Sequence, residues 1–287
     1  MRFREVYIRI VLFAISLLAL VWGFQELLTR HAPDIFRDVN EDMSYGWYIP
    51  IFSLFILWRE RGKIAASVGA SSLWGLVILL PAAFVGFLGI RGIQVRLEIV
   101  GLIGLLIGLV WFFFGWRTMK CTLFPFLFLL FCLPLHTYLD LVTIHLRMLA
   151  VTIAYEVLSG CGVDVVREGT MLASSTRSFA IDVATPCSGL RSLFAMMALT
   201  AGYAYFTLPT WTRRGALFVL SIPIAVLGNV CRVVSIVLVA SVCSSEFAMG
   251  FYHDYSGYVV FLVAVLLMVT VGGALTIRKG GEKCATS

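Results

Sequence analysis

Residues 255–277 read YSGYVVFLVAVLLMVTVGGALTI, 23 positions without a charge, bounded by Asp254 on one side and Arg278 on the other. As a helix this run is about 35 Å long, enough to cross a hydrocarbon core of about 30 Å. Working outward, the same ruler finds apolar runs at 8–28, 45–58, 73–90, 97–116, 121–136, 187–208 and 215–243. The 287 residues are 60% hydrophobic and 13% charged, whereas a soluble domain is nearer half apolar and a quarter charged. A water-soluble core cannot hide that excess, because surface falls too slowly with chain length. The expected fold class is therefore an all-α polytopic membrane protein of about eight transmembrane helices. A disordered chain, a disulfide-stapled secreted domain and a soluble two-domain enzyme are excluded.

The stretch 137–186 departs from this pattern. Asp140, His145, Arg147 and Glu156 interrupt an apolar helical period across 137–158, which predicts an amphipathic helix lying in the membrane interface. The stretch 160–186 is polar. Strand-like alternation at 163–167 and 179–183 flanks the turn-prone Ala173-Ser174-Ser175-Thr176, so a small β-like insert is expected there. The chain then reads as one integral membrane domain, 1–287, with the helix and loop inserted before the spans of 187–277.

Lys and Arg number 22 against 16 Asp and Glu. In a chain of this class the surplus reflects short cytoplasmic loops, and no nucleic-acid partner is called for. Arg2, Arg4 and Arg9 precede the first run, Arg59, Arg61 and Lys63 follow the second, and Arg117 and Lys120 separate the fourth and fifth. Arg213 and Arg214 separate the sixth and seventh, and Arg278, Lys279 and Lys283 follow the eighth. These positions agree if both termini are cytoplasmic and 137–186 stays on the far side; Arg91 and Arg96 run against the rule. The first run lacks a small-residue cleavage site and reads as a retained span. Seven cysteines, an odd number lying mostly in apolar runs, imply no disulfide framework. No Cys/His spacing suits a metal, and neither metal nor organic cofactor is expected.

With that topology three reactive side chains arrive at one depth on consecutive helices. Thr185-Pro186-Cys187-Ser188-Gly189-Leu190-Arg191 opens the sixth span. Pro186 suits a helix start, and the exposed amides of a first turn with Arg191 one turn on favour a thiolate at Cys187. The seventh span carries Asn229-Val230-Cys231-Arg232. An intramembrane arginine is costly and faces a polar partner or cavity, and Asn229, one turn before it on the same face, is placed to orient it. The eighth span is entered through His253-Asp254-Tyr255. There His253 could take a thiol proton, with Asp254 or a tyrosine setting its tautomer. Nucleophile, acid/base and fixed cation together suffice for acyl transfer through a thioester.

At these residues the chain resembles the exosortase/archaeosortase family of multi-span membrane cysteine transpeptidases. The family's Cys-Ser-Gly, Asn-x-x-Arg and late His read here as Cys187-Ser188-Gly189, Asn229 to Arg232, and His253, in the same order. Ser44-Tyr45-Gly46-Trp47 leading to Leu57-Trp58-Arg59-Glu60-Arg61 is similar to the family's second span, with Tyr45 where the family often has His. The resemblance covers about 44–275. It implies Cys187 as nucleophile, His253 as general acid/base and Arg232 as transition-state stabiliser, with Ser188, Gly189, Arg191, Asn229 and Asp254 supporting. It also implies a place in the plasma membrane of a prokaryote, with the active site on the extracytoplasmic face. The implied substrates are membrane-anchored proteins carrying a PEP-CTERM-like C-terminal sorting signal, and the acceptor is polysaccharide- or lipid-linked. Ten residues follow the last span, so the C-terminal domain fused to some family members is not expected. Water as acceptor would make a protease and an amine a transpeptidase; the residues leave both open. A transporter whose Arg232, Asp182 and Glu98 line a polar path is the alternative from another class. The spans show no inverted repeat of the kind many transporters have.

Overall fold

The computed structural model describes residues 2–37, 43–134, 140–176, 179–182 and 189–277. These form two compact units, 1–135 and 136–287.

The first unit is helical throughout. It comprises α1 (Arg2–Gly23), a π-helical turn at Leu27–His31, α2 (Ala32–Arg37), α3 (Tyr48–Arg59), α4 (Arg61–Ser67), α5 (Leu76–Gly92) and α6 (Val95–Phe128). Its centre is the packing of α5 on α6, where small residues bring the backbones together: a Cβ on Gly101 would stand 2.5 Å from the Gly86 Cα. In a bilayer, where lipid tails are as apolar as leucine, such close approach supplies the association energy. α6 spans the expected run 97–116 and the start of 121–136, and it is broken inside the first run by Gly115, with φ 84° and ψ 175°. That left-handed φ suits only glycine, and the carbonyl oxygen of Ala70 stands 2.7 Å from where a Cβ would be. Ser53 Oγ donates to the Pro125 carbonyl at 2.7 Å, tying α3 to the second half of α6. Glu98, 1% exposed, has His31 Nδ1 3.3 Å away.

The second unit begins with α7 (Asp140–Gly160), followed by β1 (Val166–Glu168), β2 (Met171–Ala173) and β3 (Ala180–Asp182). The strands form an antiparallel sheet in the order β1-β2-β3, with Leu172 opposite Arg167 on one side and Ile181 on the other. Then come α8 (Leu190–Thr207), α9 (Trp211–Val242), the single turn α10 (Ser245–Phe247), a π-helical turn at Ala248–Tyr252, and α11 (His253–Ile277). Val151, Ala154 and Leu158 of α7 join Leu172 and Ile181 of the sheet against Val233, Ile236 and Val237 of α9. A second core holds α8, α9 and α11 together through Leu193, Met196, Leu217, Ile224 and Met268. At the α8–α9 turn the two basic residues cap helix ends. Arg214 Nε donates to the Leu208 carbonyl at 2.8 Å, and Arg213 Nη1 donates to the Leu275 carbonyl at 2.7 Å. Cations at helix C-termini answer both the orphaned carbonyls and the dipole.

Among the described residues five helical stretches are long and apolar enough to cross a membrane: Arg4–Gly23, Leu73–Gly92, Val95–Cys132, Trp211–Val242 and Tyr255–Thr276. With the small sheet, this is an all-α polytopic membrane protein. The run 45–58 yields the 12-residue α3, short for a span, and α8 carries Arg191, Tyr203 and Tyr205 among its 18 residues.

Candidate active site

Arg232 sits inside α9 with most of a three-turn stretch still to run before Val242. Facing it is the start of α11, delivered by a π-helical turn whose Gly250 leaves helical geometry (φ −89°, ψ −106°), so the chain redirects just before His253. Arg232 Nη2 lies 3.0 Å from His253 Nε2 and donates to the His253 carbonyl at 3.2 Å. Ser256 Oγ donates to that same carbonyl, also at 3.2 Å. A guanidinium has donors and no acceptor, so the ring contact requires an unprotonated Nε2 and places the imidazole proton on Nδ1. The guanidinium lies over Gly257, where a Cβ would come within 3.2 Å of the Arg232 Cζ. Arg232 Nε is buried and has no hydrogen-bond partner among the described residues. A buried charged donor left unsatisfied costs more than 1 kcal/mol or so, which is tolerated where a ligand supplies the missing acceptor.

The third helix arrives through Gly189. This residue caps α8 in the left-handed conformation, φ 69°, and its carbonyl accepts from Leu193 N and Ser192 Oγ, each at 2.9 Å. A Cβ here would stand 2.9 Å from Asn229 Nδ2, so the start of α8 is seated directly on the asparagine amide. Asn229 is buried, 9% exposed, one turn before Arg232 on α9. Gly189 against Asn229 and Arg232 against His253 thus bring α8 and α11 to one stretch of α9. A cleft lined by Ser192, Asn229, Arg232 and Gly257 opens beside it.

Cys187 and Ser188 lie outside the described residues, two positions and one position before Gly189. Arg191 is exposed in the first turn of α8, and Asp254 lies in the first turn of α11, its side chain outside the described set. Of the transporter alternative's residues, the exposed Asp182 of β3 accepts from Thr170 Oγ1 at 3.1 Å, and Glu98 lies against His31 within the first unit. His145 is exposed on α7, and His136 falls outside the described residues. Among the described residues no three His, Cys, Asp or Glu side chains gather as metal ligands would.

Ser192, Ser256 and Gly257 were not singled out by the sequence reading. Their signal is helical spacing: Ser256 and Gly257 stand three and four residues after His253, on its face of α11.

A family model described as transmembrane exosortase matches residues 37–270, most of the chain. No curated protein and no solved structure matches it.

Proposed function

The chain belongs to the transmembrane exosortase family, a family of membrane transpeptidases, and from that premise we propose that it is a cysteine transpeptidase or peptidase acting on C-terminal sorting signals of exported proteins. The observation that carries this reading is the contact between Arg232 and His253, with the Arg232 Nε buried and unpaired among the described residues. His253 Nε2 takes the proton of the Cys187 thiol, the thiolate attacks the scissile carbonyl, and the carbonyl oxygen gains the negative charge of a tetrahedral intermediate. Arg232 Nε, already desolvated, is the donor that meets it; a preorganised donor of this kind is worth about 3–4 kcal/mol in other acyl-transfer enzymes. His253 gives a proton to the leaving amine, the C–N bond breaks, and a thioester on Cys187 remains. His253 then takes a proton from the incoming nucleophile, whose attack releases the thioester and returns the thiolate.

The unprotonated Nε2 lone pair is held by Arg232 in the resting geometry. Proton uptake at that nitrogen therefore coincides with release of the Arg232 Nη2, freeing a second donor for the oxyanion as it forms. The substrates are membrane-anchored proteins whose own helix leads the signal to the site, and the acceptor is a polysaccharide- or lipid-linked group of the cell envelope. The enzyme would work in a prokaryotic plasma membrane with its site on the extracytoplasmic face. Cys187→Ala abolishes processing of a sorting-signal substrate in cells that retain the variant in the membrane; persistent cleavage contradicts the reading.

A further inference from the structure

In the first unit, the segment 67–72 between α4 and α5 lies along α6 around its Gly115 break. Thr118 Oγ1 donates to the Ser67 carbonyl at 2.9 Å, and the amides of Gly69 and Ser72 donate to the Phe114 and Phe112 carbonyls at 3.0 and 2.9 Å. Arg9 of α1 reaches the same segment, its Nη1 donating to the Gly69 carbonyl at 3.3 Å. These bonds gather Arg9, Arg59, Arg61, Lys63, Arg117 and Lys120 at one end of the unit, six cations against the two carboxylates Glu5 and Glu60. Glu5 pairs with Arg9 at 3.8 Å and Glu60 with Lys63 at 2.7 Å. Two of the other cations lie over exposed indole rings. Arg61 Cζ is 4.6 Å from the centre of the Trp58 ring, and Lys120 Nζ is 4.9 Å from that of Trp116. A guanidinium has five N–H donors, and the Trp58 carbonyl takes one from Arg61 Nη1 at 2.8 Å. Next to Arg61, Ile51, Leu54 and Trp58 share one face of α3 and are each more than 60% exposed.

We propose that this end of the first unit binds the headgroup of an anionic phospholipid, with Arg61 and Lys120 meeting its phosphate and an acyl chain lying along the exposed face of α3. The excess of cations selects an anion. The apolar face that runs up to Arg61, in a chain that spans a bilayer, selects an anion that carries acyl chains. Tryptophan rings stand at headgroup level in membrane proteins, which sets Trp58 and Trp116, with the cations stacked on them, at the depth of the phosphates. Clustered Lys and Arg beside a span attract anionic lipids over zwitterionic ones. The inference concerns the first unit alone and is independent of the reading of Arg232 and His253.

The test titrates the full-length protein in detergent with phosphatidylglycerol, phosphatidylcholine and glycerol 3-phosphate separately, and reads the bound species by native mass spectrometry. Phosphatidylglycerol binds tighter than phosphatidylcholine, by about fivefold for each cation engaged. Arg61→Gln with Lys120→Gln weakens phosphatidylglycerol binding by about tenfold or more and leaves phosphatidylcholine binding as it was. Both side chains are exposed, so the fold survives their loss. Arg61→Lys with Lys120→Arg keeps the charges and keeps the preference. Arg30→Gln with Arg91→Gln removes the same charge from exposed residues elsewhere in the unit and changes neither affinity. Equal affinity for the two lipids, or a preference that the Arg61 and Lys120 substitutions leave in place, overturns the proposal. Glycerol 3-phosphate binding as tightly as phosphatidylglycerol makes the ligand a soluble anion and overturns it as well.

Discussion

A guanidinium cannot accept a hydrogen bond, so the 3.0 Å contact between Arg232 and His253 says which ring nitrogen bears the proton and which donors remain for a substrate. Arg232→Lys keeps the charge and loses the fork. Turnover should fall about 10²–10³-fold, the loss of one oxyanion donor, with substrate affinity little changed. A drop in affinity with turnover intact would show that Arg232 binds the ground state instead. Gly189 is a second residue whose identity has a physical cause. Alanine there meets a left-handed backbone cost of about 1–2 kcal/mol and displaces the Asn229 amide. Gly189→Ala and Asn229→Ala should therefore be non-additive, coupled by about 0.5–3 kcal/mol in a double-mutant cycle read by thermal unfolding in detergent. Additive effects would mean that the two residues act separately. Arg232 and His253 stood out in the sequence because each is costly or reactive in an apolar span, and the structure brings these two together, while Cys187 lies outside the described residues. The bond between Arg232 and His253 was not, since it depends on how α11 enters, and the π-helical turn and Gly250 that set this leave no periodic signature.

At the scale of elements, apolar length was readable and connection geometry was not. The runs 97–116 and 121–136, the latter as far as Cys132, are both helical, and the kink falls at Gly115, ahead of the basic 117–120, where hydropathy, with no term for a backbone dihedral, does not mark it. Gly115→Ala should destabilise the first unit by at least about 1–2 kcal/mol, the cost of a left-handed non-glycine residue, visible as a lower unfolding temperature. The small sheet shows the same division. Alternation marked 163–167 and 179–183, whereas β2, three residues long, is too short to show a period. Its neighbouring turn is held by Asp164, whose carboxylate accepts from Ser175 Oγ at 2.7 Å, Ser174 Oγ at 2.8 Å and Ser175 N at 3.1 Å. Those hydrogen bonds, first from Ser175 and then Ser174, hold its pKa below the ordinary carboxylate value. The group binds its proton more weakly folded than unfolded, so its support is complete above the unfolded value of about 3.9 and is lost as pH falls through the folded one. Amide exchange in 164–176 should be insensitive to Asp164 protonation near neutrality and rise selectively in acid. Asp164→Asn should show the fast exchange already at pH 7, and equal protection in both proteins would remove Asp164 as the holder of the turn.

At the scale of the whole molecule, the chain falls into two compact units. The first is dominated by the close α5–α6 pair, while every described member of the candidate site belongs to the second. The long apolar helices were legible because apolar length obeys the bilayer directly. Arg213 and Arg214, which mark a cytoplasmic loop in the sequence reading, also cap α11 and α8, a double use that topology counting does not register. The account's central claim is that Cys187, Arg232 and His253 form one site open to the extracytoplasmic side. Cys161 and Cys243 are also exposed and would face that side in the same topology, so both are first replaced by serine. Intact cells carrying this background are then treated with a membrane-impermeant thiol reagent across pH, with and without Arg232→Ala or His253→Ala. The account predicts that Cys187 is labelled from outside at pH values below the ordinary thiol value of about 8.5, and that either substitution shifts its pH profile. A Cys187 that is silent from outside, or whose profile is indifferent to both changes, would contradict it.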